Sequence, residues 1–215
     1  GYLGISQGGR SINYVWVFLL MLSVIPLINF MAEWNAGFEL PDSMKGIEQW
    51  IIRMEEDARS ITERMLESHS IPGLLLSILT LAIIPAISEE VLFRGVIQRL
   101  FFNWSKNIHI AVILAAVLFS AVHFQFFGFI PRLLLGIMFG YLYVWSGSLW
   151  VPIFAHFLNN TIASLAFYFY HTERIQNNPD TWGSDPGNYW LYLSILMLGL
   201  FLFLIYRKRE RGLRS

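Results

Sequence analysis

The stretch from residue 71 to residue 94 reads IPGLLLSILTLAIIPAISEEVLFR, with two adjacent acids and an arginine at the end of a long apolar run. Apart from Glu89, Glu90 and Arg94, its composition is that of a membrane-spanning helix. A charged side chain at bilayer depth costs at least about 2.5 kcal/mol, so it is rare there and usually marks a functional site. The pattern predicts a membrane helix that carries chemistry.

The whole chain has the composition of a membrane protein. Of its 215 residues, 55% are hydrophobic and only 14% are charged, and the mean hydropathy is +0.52. There is no cysteine, which excludes a thiolate nucleophile, a thiolate metal ligand and a disulfide framework. The formal net charge is zero, and we expect no nucleic-acid partner.

Long apolar segments occur along the chain, and each is close to the roughly 20 residues that a transmembrane helix needs. The candidate spans are residues 14–32, 71–101, 109–126, 129–145, 149–170 and 189–206. We therefore expect an all-α, polytopic membrane helix bundle of about six spans, forming one domain over residues 1–215. Pro85 lies inside the second span, where it should kink the helix because it has no backbone N–H.

The charge distribution predicts the topology. Residues 207–214 are strongly basic, which favours a cytoplasmic C-terminus and, with six spans, a cytoplasmic N-terminus. The intervening acidic segment, residues 33–70, is then external. Within it, residues 43–67 have apolar residues at helical spacing, which indicates an amphipathic helix on the outer surface or capping the bundle. A plain solvated linker helix is the alternative.

The two adjacent acids should have different roles. Consecutive residues on a helix point about 100° apart, so Glu89 and Glu90 cannot both face one target. Glu90 precedes Arg94 by four residues, the favourable spacing for an intrahelical ion pair. We assign that pair a structural role, which leaves Glu89 on another face as a candidate general base. The alternative is that both acids face water at a helix end.

Three further polar residues lie in apolar segments downstream. His123 follows Phe119 by four residues, and His156 and Asn160 share one helix face. Polar groups on a membrane helix must find partners inside the bundle, so we expect these faces to converge. A single histidine such as His123 is also compatible with a packing role. Arg132 is expected to pair or to extend toward the interface, with recognition of a substrate carboxylate as another option.

Together these residues form three motifs: Glu89-Glu90-x-x-x-Arg94, Phe119-x-x-x-His123 and His156-x-x-x-Asn160. In this order, each on a hydrophobic segment, they resemble the CAAX protease and bacteriocin-processing family of intramembrane proteases. That family includes relatives of the Ras-converting CAAX endopeptidase. The resemblance covers residues 84–160 and leaves out the first span, the amphipathic segment and the last span.

The resemblance implies an all-helical membrane bundle with an internal cavity, and hydrolysis of a peptide bond by water. It implies that Glu89 is the general base assisted by His123, and that His156 and Asn160 donate hydrogen bonds to the developing oxyanion. The implied partners are the lipid bilayer and a membrane-associated protein or peptide substrate. No cofactor is implied. The compact form of the chain predicts a location in the cytoplasmic membrane of a bacterium.

Three alternatives stay open. A zinc hydrolase would use Glu89, His123 and His156 as ligands, although no His-Glu-x-x-His helix is present and the ligands come from three spans. A non-enzymatic membrane protein, such as a bacteriocin-immunity factor or a scaffold, would not need that trio. A proton-coupled transporter would use buried Glu and His, but the chain lacks repeated halves.

Overall fold

The computed structural model describes residues 14–38, 40–66 and 70–208, and leaves out the side chain of Leu66. Within these ranges the chain is helical and contains no β-strand, in agreement with the predicted all-α fold. The main helices are α1 (Tyr14–Ala36), α2 (Lys45–Leu66), α3 (Ile71–Ser105), α4 (Ile108–Ala121), α5 (Phe129–Ser146), α6 (Trp150–His171) and α7 (Tyr189–Arg207). Short 3₁₀ turns occur at Asp42–Met44 and Pro179–Thr181.

Helices occur at all six places where the sequence predicts a span. Among the described residues, α1, α3, α5 and α7 are the four that are long and apolar enough to cross a membrane. Helix α4 is apolar but has only 14 residues, about 21 Å at the standard rise per residue. Helix α6 has 22 residues and carries His156 and Asn160 near its middle. The basic residues after Lys208 lie outside the described part of the chain.

The predicted span 109–126 is too long. Helix α4 ends at Ala121, and a turn that includes Phe124 at φ +53° leads into α5. The imidazole of His123 explains the early end, because its Nδ1 lies 2.7 Å from the carbonyl oxygen of Phe119. That carbonyl is the acceptor that the backbone N–H of His123 would use in a continuing helix, and this N–H bonds to Ser120 instead.

Helix α3 is continuous over 35 residues but not uniform. Two π-helical segments, Leu79–Ile83 and Val91–Ile97, flank a short α-helical segment, Ile84–Glu90, which carries both acids. Each π-helical segment shifts the register of the side chains that follow it, and such segments are frequent at functional sites. The irregularity begins just before Pro85, the residue predicted to kink this helix.

The bundle packs closely beside the acids. Gly136 and Gly140 on α5 face α4, as the Gly-x-x-x-Gly spacing predicts. A Cβ added to Gly140 would lie 2.9 Å from a methyl of Val112, and one added to Gly136 would lie 3.1 Å from the Cβ of Ala116. Larger residues at these glycines would push α4 and α5 apart. The apolar core lies between α1, α5, α6 and α7 and includes Leu20 and Leu142.

The amphipathic segment predicted at 43–67 forms helix α2, with residues 67–69 outside the described part. Its inner side packs against α3 and α6. The hydroxyl of Ser77 on α3 donates to the carbonyl oxygen of Met65 at 2.5 Å, and Thr62 lines the cavity described below. Helix α2 therefore caps part of the bundle and is not a detached linker.

Candidate active site

The two acids on α3 point in different directions, as the helix geometry predicts. The side chain of Glu89 is 28% exposed and lines an internal cavity, whereas the side chain of Glu90 is fully buried behind it. The buried carboxylate lies 3.0 Å from Nη1 of Arg94. A buried charge without a partner is strongly destabilising, so this ion pair makes the burial of both groups tolerable.

Arg94 is itself held from three sides. Its Nη2 donates to the carbonyl oxygen of Gly136 at 3.0 Å, which joins α3 to α5. The guanidinium also lies over the rings of Phe119 and Phe139, at 4.8 and 5.5 Å from their centroids. Cation–π contacts of this kind are strongest when both groups are desolvated. The ion pair on α3 is thus anchored to two further helices, α4 and α5.

Glu90 has a second partner that the sequence interpretation missed. The same Oε1 atom that faces Arg94 lies 2.9 Å from Nδ1 of His156. Since a carboxylate only accepts hydrogen bonds, Nδ1 of His156 carries the proton and donates it. The ring of His156 also stacks on Phe139, with centroids 5.1 Å apart. Glu90 is therefore both the counter-ion of Arg94 and the group that orients His156.

His123 reaches the cavity from the turn after α4. Its Nδ1 lies 2.7 Å from the carbonyl oxygen of Phe119, an acceptor, so this nitrogen also carries a proton. The Phe119 ring packs edge-on against His123 and His156, at centroid distances of 5.1 and 5.9 Å. Phe119 thus separates the two histidines and fixes the position of each ring.

Both imidazoles turn their other nitrogen toward Glu89. Nε2 of His123 and Nε2 of His156 each lie 3.9 Å from Oε2 of Glu89. In the neutral tautomers that the Nδ1 contacts select, both Nε2 atoms are acceptors, as is the ionised carboxylate. Three acceptors thus surround one small volume, which suits a water molecule, a proton or a cation.

Asn160 has a structural contact that the sequence interpretation did not foresee. Its Nδ2 donates to the carbonyl oxygen of Leu81 at 3.1 Å. Leu81 precedes Pro85 by four residues, and Pro85 has no N–H to offer that carbonyl. In a membrane such a free carbonyl needs another donor. One N–H of the Asn160 amide is therefore used to stabilise α3, and its oxyanion role stays a prediction for the second N–H.

These side chains line one cavity of about 470 Å³ between α1, α3, α5, α6 and the turn before α5. Glu89, His123, His156 and Asn160 all contribute to its wall, together with Asn159. Five of its lining residues also line a second pocket of about 240 Å³ between α1, α6 and the segment around Pro179. The cavity is therefore continuous with this second pocket along α1 and α6.

Arg132 is a wall residue whose partners the sequence did not reveal. One of its guanidinium nitrogens, Nη2, donates to Oε1 of Gln125, in the same turn that carries His123. Its Nη1 is buried and has no hydrogen-bond partner among the described residues. Arg132 thus places a positive charge beside the cavity and fastens the turn to α5.

Helix α2 fastens the same turn from the other side. Oε1 of Glu55 accepts a hydrogen bond of 2.8 Å from the backbone N–H of Phe127. Burial raises the pKa of the Glu55 carboxyl above its ordinary range, while the Phe127 N–H and the charge of Arg132 oppose the rise. Glu55 belongs to no recognisable motif, which is why sequence patterns alone do not indicate it. Arg132 is expected to pair, but the sequence does not indicate its partner, Gln125.

We expect Glu55→Ala to raise amide hydrogen exchange several-fold in the turn that carries His123, without loss of helix content. The substitution removes the acceptor of the Phe127 N–H and leaves this turn less constrained. The control is Glu56→Ala, because Glu56 is an exposed neighbour on the same helix. Hydrogen exchange followed by mass spectrometry measures the first effect, and circular dichroism measures helix content. Equal exchange of the turn in the two variants would show that Glu55 does not position it.

Comparison with known proteins links this region to one family. Residues 71–162, which contain all three motifs, match the family model described as type II CAAX prenyl endopeptidase Rce1-like. No solved structure gave a significant match.

Three curated relatives are similar to the chain. It is 32% identical over 130 residues to "Uncharacterized protein YpbD" of Bacillus subtilis, covering 59% of this chain and 62% of that protein. It is 33% identical over 86 residues to "Putative membrane peptidase YdiL" of the same organism, covering 40% of this chain and 35% of that protein. It is 26% identical over 112 residues to "Uncharacterized 24.3 kDa protein" of Escherichia coli, covering 50% of this chain and 52% of that protein. The chain thus spans less than two thirds of each relative.

Proposed function

We propose that the chain is an intramembrane endopeptidase, because residues 71–162 match the family model described as type II CAAX prenyl endopeptidase Rce1-like. Its substrate is a membrane-associated protein or peptide, and its nucleophile is a water molecule activated by glutamate and histidine. The observation that carries the proposal is the convergence of Oε2 of Glu89 with Nε2 of His123 and Nε2 of His156, each nitrogen 3.9 Å from the carboxylate oxygen.

The distances suit a bound water. Nε2 of His123 and Oε2 of Glu89 are 3.9 Å apart. A water molecule beside the line that joins them can lie about 2.8 Å from each atom, so it can donate a hydrogen bond to both. Glu89 takes a proton from this water as it attacks the carbonyl carbon of the scissile bond, and His123 orients it through Nε2. Glu89 then returns the proton to the leaving amine. The peptide C–N bond breaks, and no covalent enzyme intermediate forms.

The developing oxyanion needs donors. His156 already donates from Nδ1 to Glu90, so its Nε2 becomes a donor only after it takes a second proton from solvent. The imidazolium formed in this way lies beside the carboxylates of Glu89 and Glu90. That Nε2–H and the second N–H of Asn160 are the two donors we assign to the oxyanion. Preorganised donors in a site with little water commonly contribute several kcal/mol to transition-state stabilisation.

A zinc-dependent version of the same hydrolase is the second candidate. The two Nδ1–H contacts, one to a carboxylate and one to a backbone carbonyl, are typical of histidines that bind zinc through Nε2. Zinc bound by Glu89, His123 and His156 would lower the pKa of a bound water. Among the residues that the structure describes, no group of three or more His, Cys, Asp or Glu side chains has metal-binding geometry.

Dialysis against a strong chelator distinguishes the two candidates. If glutamate and histidine activate the water without a metal, activity should persist after dialysis, and metal analysis should find far less than one zinc per chain. Catalytic zinc would instead be lost, and activity would return when the metal is added back. Stoichiometric zinc together with reversible loss of turnover would overturn the metal-free mechanism.

A cleavage assay in nanodiscs tests the proposed function itself. Lipidated and unlipidated reporter peptides are incubated with the protein, and the products are mapped by mass spectrometry. Cleavage in H₂¹⁸O should place the heavy isotope in the new carboxylate. Cleavage that persists unchanged in the Glu89→Gln protein would show that another protease is responsible.

We also propose that the chain resides in the cytoplasmic membrane of a bacterium with its C-terminus in the cytoplasm. The relatives from Bacillus subtilis and Escherichia coli support the bacterial origin. The basic residues Arg207, which ends the last apolar helix, and Lys208, which follows it, support the orientation. A reporter enzyme fused to the C-terminus, active only in the cytoplasm, tests this topology.

A further inference from the structure

Helix α2 has an exposed apolar face that no described part of the chain covers. Four large apolar side chains on it, here called the apolar stripe, are 50%, 48%, 40% and 60% exposed. In chain order these residues are Ile47, Trp50, Met54 and Ile61. At about 100° per residue they fall within an arc of about 60°. The stripe is therefore a coherent face and not a set of scattered surface residues.

The last turn of α2 lies beside the apolar, exposed start of α3, which places the apolar stripe near the bilayer. The carbonyl oxygen of Met65, in the last turn of α2, accepts a hydrogen bond from Ser77, which lies in the second turn of the apolar helix α3. The first residues of α3 are themselves highly exposed, with Ile71 at 70% and Leu75 at 61%. These side chains belong to a helix long and apolar enough to span the membrane. The end of α2 thus lies beside the outer part of a lipid-facing surface.

The charge of α2 indicates which kind of lipid surface fits. The helix carries four basic and five acidic residues between Lys45 and Leu66, for a net charge of −1. A helix that binds anionic lipid through electrostatic attraction carries an excess of Lys and Arg on its polar face. Helix α2 lacks that excess, so burial of apolar side chains is the only substantial attraction available to it.

We infer that the apolar stripe of α2 is inserted into the interface of a membrane of neutral lipids, so that α2 lies in the plane of the membrane beside the cavity. The stripe is buried at the boundary of headgroups and acyl chains, and Glu56 on the opposite face remains in water. This orientation places the cavity wall at Thr62 next to the lipid surface. The inference does not depend on peptidase activity.

The lack of cysteine in the chain makes a direct test possible. Single substitutions Met54→Cys and Glu56→Cys give two labelling sites that point about 160° apart on α2. Each protein is labelled with a nitroxide and placed, one copy per disc, in nanodiscs of phosphatidylcholine. Collision with oxygen, which concentrates in lipid, is compared with collision with a water-soluble nickel complex.

The label at position 54 should collide mainly with oxygen and be shielded from nickel, and the label at position 56 should show the reverse. Addition of anionic lipid should leave this contrast unchanged. Equal access of nickel to both labels would overturn the inference. If position 54 is shielded only with two copies per disc, the stripe binds a second copy of the chain and the inference is wrong. Shielding that requires anionic lipid would also contradict the inference.

Discussion

Glu89→Gln should abolish proteolysis while the protein folds and inserts as the original does. A general base typically contributes about 10² to 10⁴ in rate, so kcat should fall at least about 100-fold. The amide keeps the size of the carboxylate and one acceptor oxygen. Glu89 is 28% exposed and forms no short ion pair, so its charge contributes little to the packing of α3.

The measurement compares kcat of the Glu89→Gln variant with kcat of the original protein on one reporter peptide. Melting temperature and yield are the folding controls. An unchanged melting temperature with a large loss of kcat is the expected pair of results. A variant that keeps more than about a tenth of the activity would exclude Glu89 as the base. In that case His123, which has the same access to the proposed water, becomes the leading candidate.

The separate placement of the two acids follows from the sequence, because it depends only on helix geometry. Residues 89 and 90 differ by about 100° around the axis, and the Glu90–Arg94 spacing identifies the buried one. The structure has this arrangement, with Glu90 fully buried and Glu89 facing the cavity. The convergence of His123 and His156 on Glu89 also agrees with the rule that polar faces of membrane helices meet.

The features that the sequence did not indicate depend on contacts between distant residues. Glu90 and His156 are 66 positions apart, and Asn160 and Leu81 are 79 positions apart. The π-helical segments of α3 are indicated by no local pattern other than Pro85, which has no N–H for the Leu81 carbonyl that Asn160 contacts. The early end of α4 likewise depends on an imidazole that competes with its own backbone.

The second large effect is expected for Glu90→Gln, which should lower both stability and activity. Arg94 is buried and would lose its counter-ion, and removal of one partner of a buried pair costs about 3–5 kcal/mol. His156 would lose the carboxylate that accepts from Nδ1. We expect a lower yield, a lower melting temperature in detergent and little turnover, measured beside Glu89→Gln.

The double variant Glu90→Gln/Arg94→Met separates the two roles of Glu90. The long apolar methionine removes the unpaired charge and still fills the space against Phe119 and Phe139, so most of the lost stability should return. Turnover should stay low, because the carboxylate that accepts the hydrogen bond from Nδ1 of His156 is still absent. Recovery of activity together with stability would mean that Glu90 acts only through Arg94. Loss of activity in a stable double variant would establish that the buried acid acts on His156.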